Sequence, residues 1–454
     1  MTDQNINNNN LQPVIDNNMC IACGACIMAD QSLSIQFNSK TMMYEPSGSG
    51  NEMAAKVCPS IKVDYDFLHQ KRFPNITPNE HGVVDSIWLA QSTNITQNRN
   101  ASSGGVIKEL LLNYLSLDEV DGVIAINHKK GLEFEPDIIR NADEVQKLPG
   151  SIYHALSSEK VLKLLKENDG RYVIIAIPCQ LEGIYSYIYN NEPDLVERIH
   201  TVIGLSCGWY YNHHALKAIC EYKNIDYEKI SDISYRGGGP IGKLKITSNG
   251  KETAISRRID FDYQVAFDRS FNIPRCHFCI NHVNYFADIV VADAWLPCTV
   301  GTKTGTSLVI CRKSSTTETM KKLVDSGKIR VADATVDDIV DSQMRRNAFG
   351  DFAYAYAKYV KDNGGFCPDL KGPNFKEAYL ISQKMVKSFH SSLILKRQLQ
   401  QTGKYKKLWW RKATIELPKL SWRYIRWFLV KFLKIKALSG RKHKEIPRKL
   451  NGFL

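Results

Sequence analysis

The chain has 454 residues, of which 43% are hydrophobic and 24% are charged. This composition is typical of a globular protein with a hydrophobic core, and it excludes a largely disordered or collagen-like chain. At roughly 150 residues per domain, the length predicts about two to four units that can bury a core without disulfides. The 12 cysteines therefore indicate a chemical role.

The amino-terminal residues 1–18 are polar and rich in asparagine, and we expect a disordered leader there. They lack the basic and apolar segments of a secretory signal, and no apolar run approaches the roughly 18 residues of a membrane-spanning helix. We therefore predict a cytoplasmic protein. In a reducing cytosol, closely spaced cysteines are metal or cluster ligands more often than disulfides.

Four cysteines in the first part of the chain have the spacing of an iron–sulfur site: Cys20, Cys23, Cys26 and Cys58, the last followed by Pro59. The three cysteines of a CxxCxxC run can each reach a different iron of a 4Fe-4S cluster. A distant Cys-Pro supplies the fourth ligand in bacterial-type ferredoxins. We predict one 4Fe-4S cluster in a ferredoxin-type domain at 19–75; a four-cysteine zinc site is the alternative.

Two short elements are expected within this domain. The alternation of Leu33–Phe37, the polar turn after it and the run Thr41–Tyr44 indicate a hairpin. Residues Glu52–Val57 indicate a short helix that ends at the fourth cysteine.

From about residue 81, apolar runs alternate with helical patterns. The predicted strands are Ile87–Ala90, Gly122–Ile126, Tyr172–Ile177, Thr201–Leu205, Leu244–Thr247 and Ile289–Ala292. Helices are predicted after Gly105 and at Glu159–Asn168. Strands separated by helices favour an α/β fold, or α+β overall once the ferredoxin-like module is included. We assign residues 76–335 to this mixed α/β body and 336–383 to a helical segment.

A second group of cysteines follows the predicted strands. Cys179 and Cys207 each come directly after an apolar run, and Cys276 and Cys279 form a CxxC. Ligands gather at the carboxyl ends of strands in open α/β sheets, so these four thiols can converge on a second cluster. The alternatives are buried cysteines acting as small apolar side chains, or a zinc site built on the CxxC.

Six motifs stand in the order found in the family of coenzyme F-420 hydrogenase/dehydrogenase beta subunits, and residues 19 to 315 resemble that family. The motifs are Ser102-Ser103-Gly104-Gly105-Val106, Pro149-Gly150-Ser151-Ile152-Tyr153, Ile177-Pro178-Cys179-Gln180, Tyr235-Arg236-Gly237-Gly238-Gly239-Pro240, Pro274-Arg275-Cys276 with Cys279, and Ala287-Asp288-Ile289 with Asp293 and Trp295. The resemblance implies an iron–sulfur flavoprotein with FAD. It also favours the second cysteine group as ligands of a second 4Fe-4S cluster.

The resemblance further implies a set of flavin-binding residues: Ser102, Ser103, Gly104, Gly105, Ser151, Tyr153, Arg236, Gly237 and Asp293. The glycine loop before a helix can present amide groups to the FAD pyrophosphate, although Ser103 can instead cap that helix. Arg236 is expected to contact an anion, or to belong to a simple glycine turn. Asp293 and Trp295 are expected at the cofactor or in the core.

Positive charge is concentrated at the carboxyl end of the chain. Residues 384–454 carry 20 Lys and Arg against 2 Asp and Glu, whereas the other residues carry 40 against 45. Within this basic tail, Leu420–Lys436 has the pattern of an amphipathic interfacial helix with Trp422 and Trp427. We expect peripheral contact with the inner membrane face; a helix packed on the body is the alternative. No recognition fold accompanies the tail, so nucleic acid is not an expected partner.

The predicted function is electron transfer between ferredoxin-type carriers, or another redox protein, and a small organic two-electron acceptor. Use of coenzyme F-420 itself is inherited from the family name, and Ile152 replaces a lysine frequent in the family, which changes the expected substrate contacts. Relatives with this layout also occur in polysaccharide synthesis. The competing function is a non-catalytic electron-transfer adaptor that docks a partner enzyme. No motif of a hydrolase or kinase is present.

Overall fold

The computed structural model describes residues 9–414, apart from residues 78, 240, 300, 301, 303, 345, 346, 370, 371 and 373–380. The strands are β1 Ile35–Asn38, β2 Met43–Pro46, β3 Ser86–Ser92, β4 Gly122–Lys130, β5 Glu133–Ile139, β6 Tyr172–Ala176, β7 Ile199–Leu205, β8 Ile230–Ser234, β9 Lys243–Ser248, β10 Lys251–Ser256, β11 Ile289–Asp293, β12 Ser307–Cys311 and β13 Ile329–Asp333. The helices are α1 Gln12–Asp16, α2 Ala25–Ala29, α3 Glu52–Lys56, α4 Tyr65–Arg72, α5 Ile95–Asn100, α6 Val106–Tyr114, α7 Ala142–Lys147, α8 Lys160–Glu167, α9 Pro178–Asn191, α10 His214–Lys223, α11 Phe261–Ala266, α12 Ser314–Asp325, α13 Val336–Ile339, α14 Asn347–Asp362 and α15 Gln383–Gln401.

An eight-stranded mixed sheet forms the centre of the body, with strand order β13-β3-β12-β11-β7-β6-β4-β5. The four strands β11, β7, β6 and β4 are parallel, and antiparallel strands complete both edges. The predicted α/β class is therefore confirmed. The parallel strands end at one edge of the sheet, where β6, β7 and β11 are followed by residues of the predicted sites.

Both faces of this sheet are buried, which explains why its strands are continuous apolar runs. Val173, Ile203 and Val291 face one core with α6, α7 and α12. Their neighbours Ile174, Val202 and Val290 face the other core with α8, α9 and the amino-terminal module. The sequence analysis missed β5, which contains charged residues and Pro136, and it also missed β12 and β13, which flank α12.

The amino-terminal module packs directly on the body. The predicted hairpin is confirmed as the antiparallel pair β1 and β2, and the predicted helix as α3. The prediction of a disordered leader over 1–18 is wrong for residues 11–16, because Leu11 and Val14 are fully buried against the module. Residues 1–8 lie outside the described part of the chain.

A smaller antiparallel sheet, with order β10-β9-β8, follows α10. Its apolar residues Ile233, Leu244 and Ile255 form a third core with α10 and α11. The predicted strand Leu244–Thr247 is thus confirmed as part of β9, in this small sheet rather than in the large one.

The carboxyl-terminal helices also pack on the body. The predicted helical segment from 336 contains α13 and α14. The part of the basic tail that the structure describes packs on the body, because α15 buries Val386 and Leu393. In a helix at residues 405–414, the Trp409 indole N–H donates to Asp262 at 2.6 Å. The predicted interfacial helix Leu420–Lys436 lies outside the described residues.

Candidate functional site

The first four predicted ligand cysteines line one small apolar cavity. Cys20, Cys23 and Cys26 occupy the loop before and into α2, and Cys58 follows α3. Gly24 permits this loop because it adopts φ +84°, and a Cβ there would lie 2.4 Å from Glu159 Cα. Leu11 and Val14 of the amino-terminal segment close the cavity. We call Cys20, Cys23, Cys26 and Cys58 the first cysteine set.

The environment of the first cysteine set suits thiolates that are bound to a positive centre. Burial, reinforced by the neighbouring thiols, raises the pKa of Cys20, Cys23 and Cys26. A buried thiolate needs a compensating positive charge, which a metal or a cationic side chain supplies. The Ala22 amide already donates to Cys20 Sγ at 3.3 Å, a contact that stabilises negative charge on sulfur.

The second group of cysteines converges at the carboxyl edge of the large sheet. Cys179 lies in the first turn of α9 after β6, and Cys207 follows β7. Cys276 belongs to a 3-10 turn at Pro274–Phe278, and Cys279 follows that turn. These four are the second cysteine set.

The thiols of the second cysteine set lie close enough to affect one another electrostatically. Burial is the main factor that raises the pKa of Cys179, and the other three thiols of the set raise it further. Burial likewise raises the pKa of Cys276 to about 12 and that of Cys279 to about 11, although Arg275 lowers both. The sequence prediction that these residues meet is thus matched by their positions.

Within the described residues, no three Cys, His, Asp or Glu side chains are arranged to hold a single metal ion. A 4Fe-4S cluster has a different requirement, since each of its four thiolates binds a different iron. The remaining cysteines include Cys220 and Cys311, which are buried in apolar cores as expected of structural residues.

A cavity of about 630 Å³ opens at the same edge of the sheet. Seven of the nine predicted flavin residues line it: Ser102, Ser103, Gly105, Ser151, Tyr153, Arg236 and Asp293. Cys207 lines it too and connects it to the second cysteine set. A cavity of this size is within the range of cofactor and small-molecule sites.

One end of the cavity is formed by the loop Ser102–Gly105 and the start of α6. Gly105 is the N-cap of α6 at φ +76°, and no side chain of the described residues caps this helix. The alternative that Ser103 caps it is wrong, because the Ser103 hydroxyl donates to Thr306 O at 2.8 Å. Ser102 Oγ accepts from the Ser151 amide at 2.8 Å, which joins two predicted motifs. The uncapped helix start and Lys108 can attract an anion here.

The other end of the cavity contains two arginines. Arg236 Nη1 donates to Asp293 Oδ2 at 2.6 Å, and the Arg236 side chain is 3% exposed. Burial opposes the charge of this guanidinium, but Asp293 and Tyr153 outweigh it and raise the pKa of Arg236. Its Nε is buried without a hydrogen-bond partner in the described part of the chain, so one donor remains available. Arg257 lies over the Tyr153 ring, 4.9 Å from the ring centre.

Two of the predicted flavin residues, Gly104 and Gly237, do not line the cavity. Arg257 does line it but was not predicted from the sequence. Gly104 instead donates its amide to Ser307 Oγ at 2.9 Å, and its Cβ would lie 2.4 Å from Ala90 O. Gly237 lies in a loop whose following amides, Gly238 and Gly239, both donate to Arg99 O. Arg257 was missed because it follows β10 without any motif around it.

Two neighbouring histidines at the start of α10 lie in the interior of the protein rather than at its surface. His213 and His214 are buried, and their ring nitrogens contact Ala155 O and Lys40 O. They precede and begin α10, but neither side chain caps it. Because Lys40 belongs to the turn between β1 and β2, these residues join the amino-terminal module to the body.

The chain matches two adjacent profiles of one family, which is described as "Coenzyme F420 hydrogenase/dehydrogenase, beta subunit". Residues 87–163 match the profile of its amino-terminal part, and residues 169–337 match the profile of its carboxyl-terminal part. The chain belongs to this family. The second cysteine set lies within the residues that match the family, whereas the first set precedes them.

The chain is distantly similar to the following proteins. It is 22% identical over 305 residues to the F subunit of F(420)H(2) dehydrogenase from Methanosarcina mazei, covering 63% of this chain and 78% of the relative. It is 23% identical over 243 residues to the beta subunit of coenzyme F420 hydrogenase from Methanosarcina barkeri, covering 52% of this chain and 78% of the relative. A chain of the F420-reducing NiFe hydrogenase complex of Methanosarcina barkeri shares the fold, with a TM-score of 0.50 at 19% identity, over 66% of this chain and 100% of the other.

The relatives have the names of subunits in oxidoreductase complexes, so the family is one of redox proteins that work with protein partners. None of the helices in the described part of this family member is long and apolar enough to cross a membrane.

Proposed function

We propose that the protein is an iron–sulfur flavoprotein oxidoreductase. It passes electrons between a ferredoxin-type carrier and an organic two-electron acceptor. The observation that supports this most is the large cavity, because Cys207 lines it together with an uncapped helix start and two arginines. A thiol set, an anion-binding loop and a substrate-sized space thereby share one edge of the sheet.

In this proposal, each cysteine set holds one 4Fe-4S cluster and the cavity holds FAD. The clusters are supported by the buried thiols, whose ionised forms need a compensating positive charge. The FAD is supported by the start of α6, which no side chain of the described residues caps. A bound flavin would supply the exchange between single electrons and electron pairs. Ser102, Ser103 and the first amides of α6 would hold its pyrophosphate.

The other lining residues orient the bound molecules and exclude water. Ile126, Leu156 and Ile177 give the cavity apolar walls. Arg236, held by Asp293, offers its available Nε–H to an anionic group. Trp295 is 43% exposed with the Arg236 guanidinium 5.8 Å from its ring centre, which suits a planar ring that enters from solvent.

The acceptor in this proposal is coenzyme F-420 or, as in relatives of polysaccharide synthesis, a sugar or lipid-linked intermediate. Ferredoxin or another redox protein would dock beside the first cysteine set. The basic residues after 414 would hold the protein at the inner membrane face, where each cation near an anionic leaflet contributes about 1 kcal/mol.

A rapid-mixing experiment tests the proposal. Reduced ferredoxin is mixed anaerobically with the purified protein, and the flavin absorption band is followed in wild type and in Cys207→Ser. We expect wild type to bleach and Cys207→Ser to bleach at least tenfold more slowly, because its second set is incomplete. Cys220→Ser, a buried cysteine outside both sets, is the control and should match wild type. Equal rates in all three proteins would contradict the proposal.

A non-catalytic adaptor is the second candidate, since the relatives are named as subunits of complexes. The two functions differ in what the isolated protein does. An oxidoreductase turns over a candidate acceptor with reduced ferredoxin alone. An adaptor accepts electrons and turns over only after a partner enzyme is added.

A further inference from the structure

The two cysteine sets meet on helix α9. Cys179 lies in its first turn, and Gly183 lies one turn later, about 6 Å further along the axis. Gly183 packs against the first set: a Cβ there would lie 2.6 Å from Cys23 Sγ and 3.4 Å from Pro59 Cγ. Any larger residue would push α9 away from the first set. The absence of a side chain therefore brings the two sets close together.

A buried ion pair occupies the same junction. Arg275 directly precedes Cys276 of the second set, and its Nε donates to Pro59 O, beside Cys58 of the first set, at 3.2 Å. Arg275 Nη2 lies 3.7 Å from Glu182 Oε2, and the two side chains are 5% and 2% exposed. Glu182 is the residue before Gly183, so the ion pair and the glycine contact are adjacent on α9.

The carboxylate of this pair is fixed by further contacts. The Tyr65 hydroxyl donates to Glu182 Oε1 at 2.7 Å, and Asn281 Nδ2 donates to the same oxygen at 2.8 Å. Tyr65 belongs to α4 of the amino-terminal module, whereas Asn281 follows the CxxC of the second set. Glu182 thus holds both regions and orients the guanidinium between them.

Arg275 is positioned to act on both cysteine sets. Its positive charge acts to lower the pKa of Cys58 in one set and of Cys276 and Cys279 in the other. Its Nη1 is buried and has no hydrogen-bond partner among the described residues. A buried cation with an available N–H beside thiolates favours the reduced, more negative state of a cluster, because potentials depend on local charge and on hydrogen bonds to sulfur.

Resting on the proposed function, we propose that Gly183, Glu182 and Arg275 are positioning residues at the junction of two clusters. Gly183 sets the spacing of the cysteine sets, and Arg275, oriented by Glu182, raises the reduction potentials on both sides. The step that they serve is transfer of one electron, in which one cluster is oxidised as the other is reduced, with no proton released.

Redox titration followed by EPR spectroscopy tests the role of Arg275. We expect Arg275→Met to make the reduction equilibrium of both clusters at least tenfold less favourable, which is about 59 mV for a one-electron couple. Glu182→Gln should shift both potentials in the opposite direction, because it removes the compensating negative charge. Arg275→Lys keeps the charge and should stay near wild type. Arg198→Met, which removes a cation bonded to carbonyls at the carboxyl end of α8, is the control.

The magnetic interaction of the two reduced clusters tests the role of Gly183. Gly183→Ala should weaken this interaction in the EPR spectrum. Gly122→Ala, whose new Cβ would lie 2.8 Å from Ile138 Cγ2, introduces a similar clash away from both sets and should not.

Iron analysis separates the two possible failures. Wild type without iron would overturn the proposed function itself. If Arg275→Met and Glu182→Gln contain the full amount of iron but their cluster potentials equal those of wild type, only this inference would be overturned. If Arg275→Met fails to fold, the opposite shift in Glu182→Gln remains the deciding result.

Discussion

The two cysteine sets are built in different ways. The first set comes from two short loops of one small module, and its geometry depends on local backbone conformations such as the positive φ of Ala22 and Gly24. The second set draws on separate loops at the edge of the large sheet, and its geometry depends on the packing of β6 and β7. The first set therefore depends mainly on local backbone conformation, whereas the second set depends on contacts between residues that are distant in sequence.

The largest expected effect distinguishes the sets by iron content. Cys58→Ser should remove about four irons from the first set and leave the flavin in place. Cys276→Ser should remove about four irons from the second set and also reduce flavin content, because Cys207 of that set lines the cavity. Iron, sulfide and flavin analysis checks this. An equal loss of flavin in both variants would show that the sets are not independent.

The next prediction concerns the residues that cover the first set. Leu11→Ala should lower the free energy of unfolding by about 2 to 5 kcal/mol, since the side chain is 1% exposed. It should also speed the loss of the first cluster in air, measured by EPR, without affecting the second. Leu216→Ala, buried in α10, is the matched control for stability. Equal air sensitivity in both variants would contradict a covering role.

Acid should weaken the attachment of the module that carries the first set. Burial lowers the pKa of His213 from 6.5 to about 4. The unfolded state therefore binds more protons between these values, and His213 should lower the free energy of unfolding by about 3 kcal/mol as pH drops from 6.5 to 4. Burial also lowers the pKa of His214 to about 4, so its contribution adds to that of His213. Urea unfolding at several pH values measures this. His213→Gln should make the dependence shallower, and His200→Gln, which lies outside this contact, should not.

The smallest expected effect compares helix caps in the two regions. Asn51 accepts from the Ala54 amide at 2.9 Å in the module, and Asn141 accepts from the Glu144 amide at 3.0 Å in the body. Each change to alanine should lower the free energy of unfolding by about 1 kcal/mol. Only Asn51→Ala should reduce iron retention in the first set, because α3 leads directly to Cys58.

Local sequence patterns were sufficient to predict those elements that depend on residues close together in the chain. The hairpin, the α3 helix and the parallel strands were confirmed, because period-two alternation and apolar runs directly reflect burial. The first cysteine set could be predicted from spacing for the same reason. The second set required strand ends to meet, and the motifs of the family supplied that long-range information.

What the sequence did not predict depends on tertiary contacts. Leu11 and Val14 stand in a polar segment, and only the cavity that they cover explains their order. His213 and His214 look like surface residues until the turn at Lys40 packs on them. Arg257 and the Arg275–Glu182 pair lie far apart in sequence from the groups that they contact, so no local pattern indicates them.

Anaerobic purification with iron, sulfide, zinc and flavin quantitation tests the central claim most directly. Two cysteine sets and one flavin cavity predict about eight irons and about one FAD per chain. About four irons without flavin would retain only one cluster and favour the adaptor. Zinc with neither iron nor flavin would contradict the account.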